Sequence, residues 1–355
     1  MKKIGILTFH FCDNYGAVLQ CYALKTAINN FSGCQAEVIN FNPNWKPGWF
    51  TENDLQAKQI ERLNSYKEFT KSYLNINDNI IYDMSKEDPK KYDYYIVGSD
   101  QIWNPTFNFF NTTYFLDFLR DEAVKISYAA SIGISTEDKR LDPELFMKYI
   151  PNFDFISIRE QTHEAFIKQF TNKKVNTVLD PTLLIDKEKY EIITSKINKT
   201  PKNKYIFLYF LKHDSTSPLV LSFVNMLSRK YNLKVIHNFI DLPTNIFKNE
   251  SESYYFKGPE DFLWYIKNAE LVITNSFHGT IFSIIYQKPF YTYIVKNLSS
   301  RIYNLLGSLG LEDRIISGYK NLEDINLKID YSKVHKNLLP YKNKSIQFLN
   351  EALDI

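Results

Sequence analysis

Cysteine is scarce in this sequence. Its three residues, Cys12, Cys21 and Cys34, crowd near the start, an odd number with neither framework nor metal-type spacing. That excludes a disulfide scaffold and a clustered zinc set, and free thiols in a reducing compartment are the simplest account. Charge of one sign is scarce as well, with 43 Lys and Arg against 40 Asp and Glu, a formal net charge of +3 spread without a long block. Nucleic acid is therefore not indicated as a partner. No apolar run reaches the roughly 18 residues a spanning helix needs, so no transmembrane segment is expected. The opening run from Met1 to Leu7 breaks at Thr8 and His10, too short for a secretory segment and suited to a first buried strand. These absences point to a cytoplasmic protein whose only membrane association would be peripheral, at the inner face. Also missing are Gly-x-Gly-x-x-Gly, a P-loop and His-Glu-x-x-His, so neither a dinucleotide, a nucleotide triphosphate site nor zinc has support, and no cofactor or metal is expected.

What remains is a globular α/β chain. Its 355 residues exceed what one core usually holds, so two domains are expected. Hydrophobic residues make up 44% and charged residues 23%, enough for a substantial core. The 25 Tyr and 27 Phe serve either core filling or stacking on sugars. Short apolar runs alternate with amphipathic stretches, the pattern of parallel sheets covered by helices. Strands are predicted at Ile4 to Phe9, Glu37 to Phe41, Tyr94 to Gly98, Ile126 to Ala130, Phe155 to Ile158 and Thr177 to Leu179, with a helix at Ala17 to Asn29. The pattern restarts with strands at Tyr205 to Leu211, Lys234 to Ile236 and Leu271 to Thr274, and helices at Pro218 to Lys230, Pro259 to Lys267 and Gly279 to Tyr286. The polar stretch 194–204 reads as a linker. The expected domains are therefore 1–194 and 205–355, with the final helix able to return to the first. Two Rossmann-like domains so joined would face each other across a cleft at the carboxyl ends of their strands.

Several polar residues fall at those ends. In Val272 to Ser283 a buried strand, a tight turn and a helix opening succeed one another, and a helix amino terminus favours a phosphate or carboxylate. His278 stands at that mouth, either as a proton donor or as a cap on a backbone carbonyl. Asp100 is the first candidate to take a proton from an attacking hydroxyl; its alternative is to fix its loop through backbone N–H groups. Trp103 either stacks on a sugar or anchors the loop in a core. Asn14 either bonds an acceptor or caps the following helix. Asp180, before Pro181, reads as the end of a strand, and 249–253 as a solvated loop.

The segments Asp13 to Gln20, Val97 to Asn104, Ser127 to Ser131, Ser157 to Glu160, Leu179 to Thr182 and Val272 to Ser283 together resemble the polysaccharide pyruvyl transferase family. Gly98-Ser99-Asp100-Gln101-Ile102-Trp103-Asn104 and Ser276-Phe277-His278-Gly279-Thr280 are the specific pieces. The resemblance implies a fold of the GT-B type and transfer of the enolpyruvyl group of phosphoenolpyruvate onto a sugar, giving a pyruvate ketal on a cell-surface glycan. It implies that His278 and Arg159 handle phosphoenolpyruvate. Ser276, Gly279 and Thr280 surround the same helix opening and are placed with the donor, and Asn14, Gln20, Gln101 and Trp103 are the candidates for the acceptor side. Arg301 joins the donor set on chemical grounds, because guanidinium forks suit a ligand carrying both carboxylate and phosphate. Both arginines could equally make structural salt bridges. The implied partners are phosphoenolpyruvate and a sugar acceptor that is nucleotide-, lipid- or polymer-linked. One departure stands out: some ketal-forming members carry Arg-Leu-His where this chain has Ser276-Phe277-His278. The rival readings are a glycosyltransferase using a nucleotide sugar and a non-catalytic sugar-binding protein of the same fold.

Overall fold

The computed structural model describes residues 1–48, 50–211, 217–240, 246–247, 249–294, 300–317 and 325–355. The chain divides into two units. One comprises Met1–Gln56, Tyr66–Ile185 and Leu339–Ile355, the other Ala57–Ser65 and Asp186–Leu338.

The first unit is built on six strands, β1 (Lys2–Leu7), β2 (Cys34–Val38), β3 (Tyr94–Val97), β4 (Val124–Ala130), β5 (Phe155–Ile158) and β6 (Val175–Thr177). Their order is β2-β1-β3-β4-β5-β6 and every pair is parallel. Runs such as Tyr95, Ile96 and Val97 are buried throughout, as expected of strands covered on both faces. The strand order reverses between β1 and β3, and in open α/β sheets ligands bind outside the carboxyl ends at such a reversal. Helices α1 (Tyr15–Asn29), α3 (Pro143–Tyr149) and α4 (Glu164–Ile167) follow the strands or join them, while α2 (Asn53–Phe69) has its two ends in this unit and its middle, Ala57–Ser65, in the other. Asn14 starts α1 by accepting the Ala17 N–H on its side chain.

The second unit carries β7 (Tyr205–Tyr209), β8 (Lys234–His237), β9 (Ser251–Ser253), β10 (Leu271–Thr274), β11 (Phe290–Tyr293) and β12 (Ile315–Ile316). All are parallel, in the order β9-β8-β7-β10-β11-β12. Counted within the unit this is the 3-2-1-4-5-6 order of a Rossmann fold, with its reversal between β7 and β10. Its helices are α5 (Lys187–Thr194), α6 (Pro218–Tyr231), α7 (Pro259–Asn268), α8 (Phe277–Ile285) and α9 (Ser300–Leu309). A last helix, α10 (Tyr331–Leu353), contributes residues to both units, which divide at Leu338 and Leu339, beside Pro340.

Two local readings are corrected. β2 covers Cys34–Val38 rather than Glu37 to Phe41, because beyond Ile39 the chain leaves β1 and pairs through Phe41 with Ile81. The 249–253 run is not a loop. Its Ser251–Ser253 forms an edge strand, and Lys234 of the neighbouring strand holds Glu250 at 2.8 Å and Glu252 at 3.0 Å. Among the described residues no helix is long and apolar enough to cross a membrane.

Candidate functional site

In the first unit, the loops leaving β1 and β3 meet at the reversal. The Thr8 hydroxyl donates to the Ser99 carbonyl at 2.8 Å, and the Gln20 amide donates to Thr8 Oγ1 at 2.9 Å and to the Ala17 carbonyl at 2.9 Å. Gln20 is wholly buried and braces β1 and β3 from α1, so its observed contacts are structural rather than toward an acceptor. Gly98 adopts φ +101°, and a Cβ there would sit 2.3 Å from the Tyr128 carbonyl oxygen, so only glycine lets the β3 loop approach β4 this closely. Asp100 follows with φ +75° and accepts the Gln101 N–H at 2.8 Å. Gln101 in turn accepts from the Asn104 side chain at 2.8 Å. Trp103 has no exposed surface. Its indole stacks on Phe115 at 5.4 Å and donates to the Tyr114 carbonyl at 3.0 Å, which makes it the core anchor of this loop and not a sugar platform. Asn14 is exposed and caps α1.

Arg159, just past β5, lies beneath the same loop. Its guanidinium is 2.8 Å from Asp180, 3.4 Å from Glu160 and 3.9 Å from Asp100, and its side chain is only 3% exposed. Burial disfavours its charge, but Glu160, Asp180 and Asp100 outweigh that and hold its pKa above the ordinary arginine value. Glu160 also accepts the Ser131 hydroxyl at 2.6 Å. Asp180 caps the turn after β6 through the Thr182 N–H and hydroxyl. The arginine that the sequence places with the donor is thus engaged by carboxylates, and its observed effect is to fix Asp100 and Ser99.

The second unit assembles Ser276, His278, Gly279, Thr280 and Arg301. Thr274, the last residue of β10, donates to the Tyr209 carbonyl at 2.6 Å and accepts the Ser276 N–H at 3.0 Å, tying the end of β10 to β7 at the reversal. Ser276 then caps α8 by accepting the Gly279 N–H at 3.2 Å, while its carbonyl takes the Thr280 N–H and hydroxyl, each at 3.0 Å. A Cβ on Gly279 would lie 2.5 Å from Thr274 Oγ1, so this helix can start against the strand only with glycine here. His278, second in α8, is 8% exposed, with its ring edge-on to Phe277 at 5.4 Å. From α9, Arg301 places its guanidinium 5.7 Å from the centre of the Phe277 ring. A cationic side chain and a helix amino terminus therefore occupy one neighbourhood, at the strand end where Rossmann folds take their ligands.

Sequence reasoning passed over a brace on the same edge. Beyond the last residue of β7, Phe210 and Leu211 no longer have ladder partners. The Asn238 amide accepts the Phe210 N–H at 2.9 Å and donates to its carbonyl at 2.7 Å; the Asn275 amide does the same for Leu211, at 2.7 and 3.1 Å. Each amide imitates the peptide of an adjacent strand. Asn275 lies within the motif read from sequence, but nothing in one-dimensional spacing pairs it with Leu211.

Solved structures with this architecture include UDP-GlcNAc 2-epimerases. The Neisseria meningitidis enzyme bound to UDP-GlcNAc is 10% identical, with a TM-score of 0.54 over 99% of this chain and 99% of that one. The Rickettsia bellii enzyme is 13% identical, with a TM-score of 0.52 over 99% and 98%. The Methanocaldococcus jannaschii enzyme is 12% identical, with a TM-score of 0.52 over 96% and 92%. At such identities they show the fold alone, a GT-B-like pair of Rossmann-like units. No curated protein matches the chain. Residues 14–297 match the family model described as polysaccharide pyruvyl transferase, and the chain accordingly belongs to that family of transferases in polysaccharide synthesis.

Proposed function

We propose that the protein transfers the enolpyruvyl group of phosphoenolpyruvate to a pair of sugar hydroxyls, forming a pyruvate ketal. The observation that carries this reading is the opening of α8, where His278 follows Phe277 and Arg301 lies against the Phe277 ring. Phosphoenolpyruvate brings a phosphate and a carboxylate close together, and a helix amino terminus with a guanidinium offers complementary fixed charge.

The reaction starts when the methylene carbon of the donor gains a proton and its double bond is lost, which leaves the neighbouring carbon oxocarbenium-like. A sugar hydroxyl oxygen bonds to that carbon and gives up its proton, with Asp100 as the candidate base. The carbon–oxygen bond to phosphate then breaks. His278 is the acid for one of the two protonations, at the methylene carbon or at the departing phosphate. The second hydroxyl oxygen closes on the same carbon and loses its proton, so the products are the ketal and inorganic phosphate. Arg159 serves by holding the Asp100 loop. These steps call on no metal ion, and turnover in excess EDTA is expected to equal turnover without it.

The test is phosphate release from phosphoenolpyruvate, screened over free, nucleotide-linked and lipid-linked sugars, with mass analysis of the product. Release coupled to a sugar gaining a pyruvyl group supports the reading. Turnover of a nucleotide sugar with no phosphate released from phosphoenolpyruvate would replace it with glycosyl transfer.

A further inference from the structure

The first unit contains a second feature, apart from every residue discussed above as a candidate for the reaction. A cavity of about 840 Å³ lies along β2, within the range of small-molecule sites. β2 is the edge of the sheet. Gln35, Ala36, Glu37, Val38, Ile39 and Asn40 line the cavity without a break, and the segment 74–83 forms the facing wall. A strand that presented one face would line it with every second residue, so an unbroken run means that the strand edge faces the cavity.

As a backbone template the edge is closed at both ends. The Ile39 N–H goes to the Ile6 carbonyl, which turns the peptides of Ala36, Val38 and Asn40 outward. The Ala36 N–H is already taken by Asn29 at 2.7 Å, and the Asn40 carbonyl by the Ile81 N–H at 2.8 Å. Between these ends remain the Ala36 carbonyl, the Val38 N–H and carbonyl and the Asn40 N–H, enough to pair fully with no more than two residues of an added peptide strand. So short a row of donors and acceptors suits hydroxyl groups, which do both.

The side chains carry the same mixture. Lys25 is more than nine-tenths buried at the cavity wall, and its ammonium gives one of its three hydrogens to the Leu74 carbonyl at 2.8 Å. Burial pulls its pKa below the ordinary lysine value, while Cys21 and Glu37 oppose that shift. Lys25, Lys86 and Lys91 are balanced by Glu37, Asp83 and Glu87, so the lining has no net charge to attract a phosphate or to favour a cation. Tyr82 is 56% exposed at the rim and offers a ring face.

We propose that this edge cavity binds a neutral glycan segment, as a carbohydrate subsite separate from the site of transfer. A subsite of this kind favours an acceptor longer than one sugar.

The test uses the full chain, without phosphoenolpyruvate, and three uncharged probes, cellohexaose, maltohexaose and chitohexaose. Binding is followed by calorimetry and by amide NMR at Gln35, Val38 and Tyr82. The expected result is saturable binding of at least one probe at millimolar concentration or below. Gln35→Ala and Tyr82→Ala, both on exposed positions, are each expected to weaken it about tenfold, roughly 1.4 kcal/mol, while phosphate release with a single-sugar acceptor stays unchanged. No binding by any of the three, shifts confined to other residues, or an extended peptide competing for the same amides would each overturn the proposal. Because the donor is absent, either result is independent of the transfer chemistry.

Discussion

The Arg301 guanidinium lies 5.7 Å from the centre of the Phe277 ring, and Phe277 opens the helix whose second residue is His278. The ring face holds the cation in place. A guanidinium and the positive end of a helix dipole repel each other, so their proximity costs energy unless an anion answers both.

Arg301→Ala is expected to raise the KM for phosphoenolpyruvate about ten- to a hundredfold, the size of a lost hydrogen bond to a charged group. Arg301→Lys should recover only part of this, because a point charge cannot fork onto carboxylate and phosphate together. Steady-state kinetics at saturating acceptor measures both. A KM within twofold of wild type in the alanine variant would remove Arg301 from the donor site.

His278→Ala is expected to lower kcat by about a hundred- to ten-thousandfold, the usual range for a general acid. His278→Gln keeps hydrogen bonding without a titratable proton and should bind donor while remaining as slow. Retention of near wild-type kcat in both variants would leave His278 as a structural cap.

Much of this was legible because buried parallel strands write themselves as short apolar runs. Leu271 to Thr274 and Phe155 to Ile158 were read with the boundaries the structure shows. β9 was hidden, since Ser251-Glu252-Ser253 holds no apolar residue and its strand state comes from Lys234 across the ladder. The resemblance placed Arg159 with the donor, and Trp103 read as either a sugar platform or a core anchor, but sequence cannot tell a guanidinium that meets a ligand from one that meets Asp180 and Glu160. Nor can it tell an indole on a sugar from one on Phe115. The β7 brace was illegible for the same reason, as Asn238 and Asn275 are known by what they face.

Gly279→Ala tests the close approach of α8 to β10. The new methyl would fall 2.5 Å from Thr274 Oγ1, and that hydroxyl is held by the Tyr209 carbonyl and the Ser276 N–H. Overpacking of this kind costs about 1–3 kcal/mol. Urea unfolding should show a lower midpoint, and the companion change Thr274→Ser, which removes a methyl nearby, should recover some of the loss. An unchanged midpoint would mean that the helix start is free to shift.

Arg159→Met separates positioning from donor binding. Removing the guanidinium leaves Asp180 and Glu160 buried without their cation, a loss of about 3–5 kcal/mol. Asp180→Asn should cost less, since the amide can still meet the Thr182 N–H. If Arg159 acts through Asp100, the folded fraction of either variant will show reduced kcat with the KM for phosphoenolpyruvate near wild type. An increase in that KM with stability unchanged would instead place Arg159 on the donor.

Acid sensitivity should trace in part to His237. Its ring is buried against Phe239 and Phe247, each 5.4 Å away, and its Nδ1 accepts the Phe239 N–H at 3.2 Å. Burial pushes its pKa down to about 4 from an ordinary 6.5. The native state therefore keeps the ring neutral, while the unfolded chain takes up a proton below 6.5. This contribution is intact above pH 6.5 and is lost progressively as pH falls toward 4, by about 3 kcal/mol at most. His237→Phe keeps the stacking but leaves the Phe239 N–H without its acceptor, so it should start about 1 kcal/mol less stable at neutral pH. Its urea midpoint should then fall less steeply between pH 6.5 and 4. The slope will not vanish, because burial also lowers the pKa of His10 in the first unit. Parallel pH profiles for wild type and variant would show that His237 is charged in the native state or exposed to water.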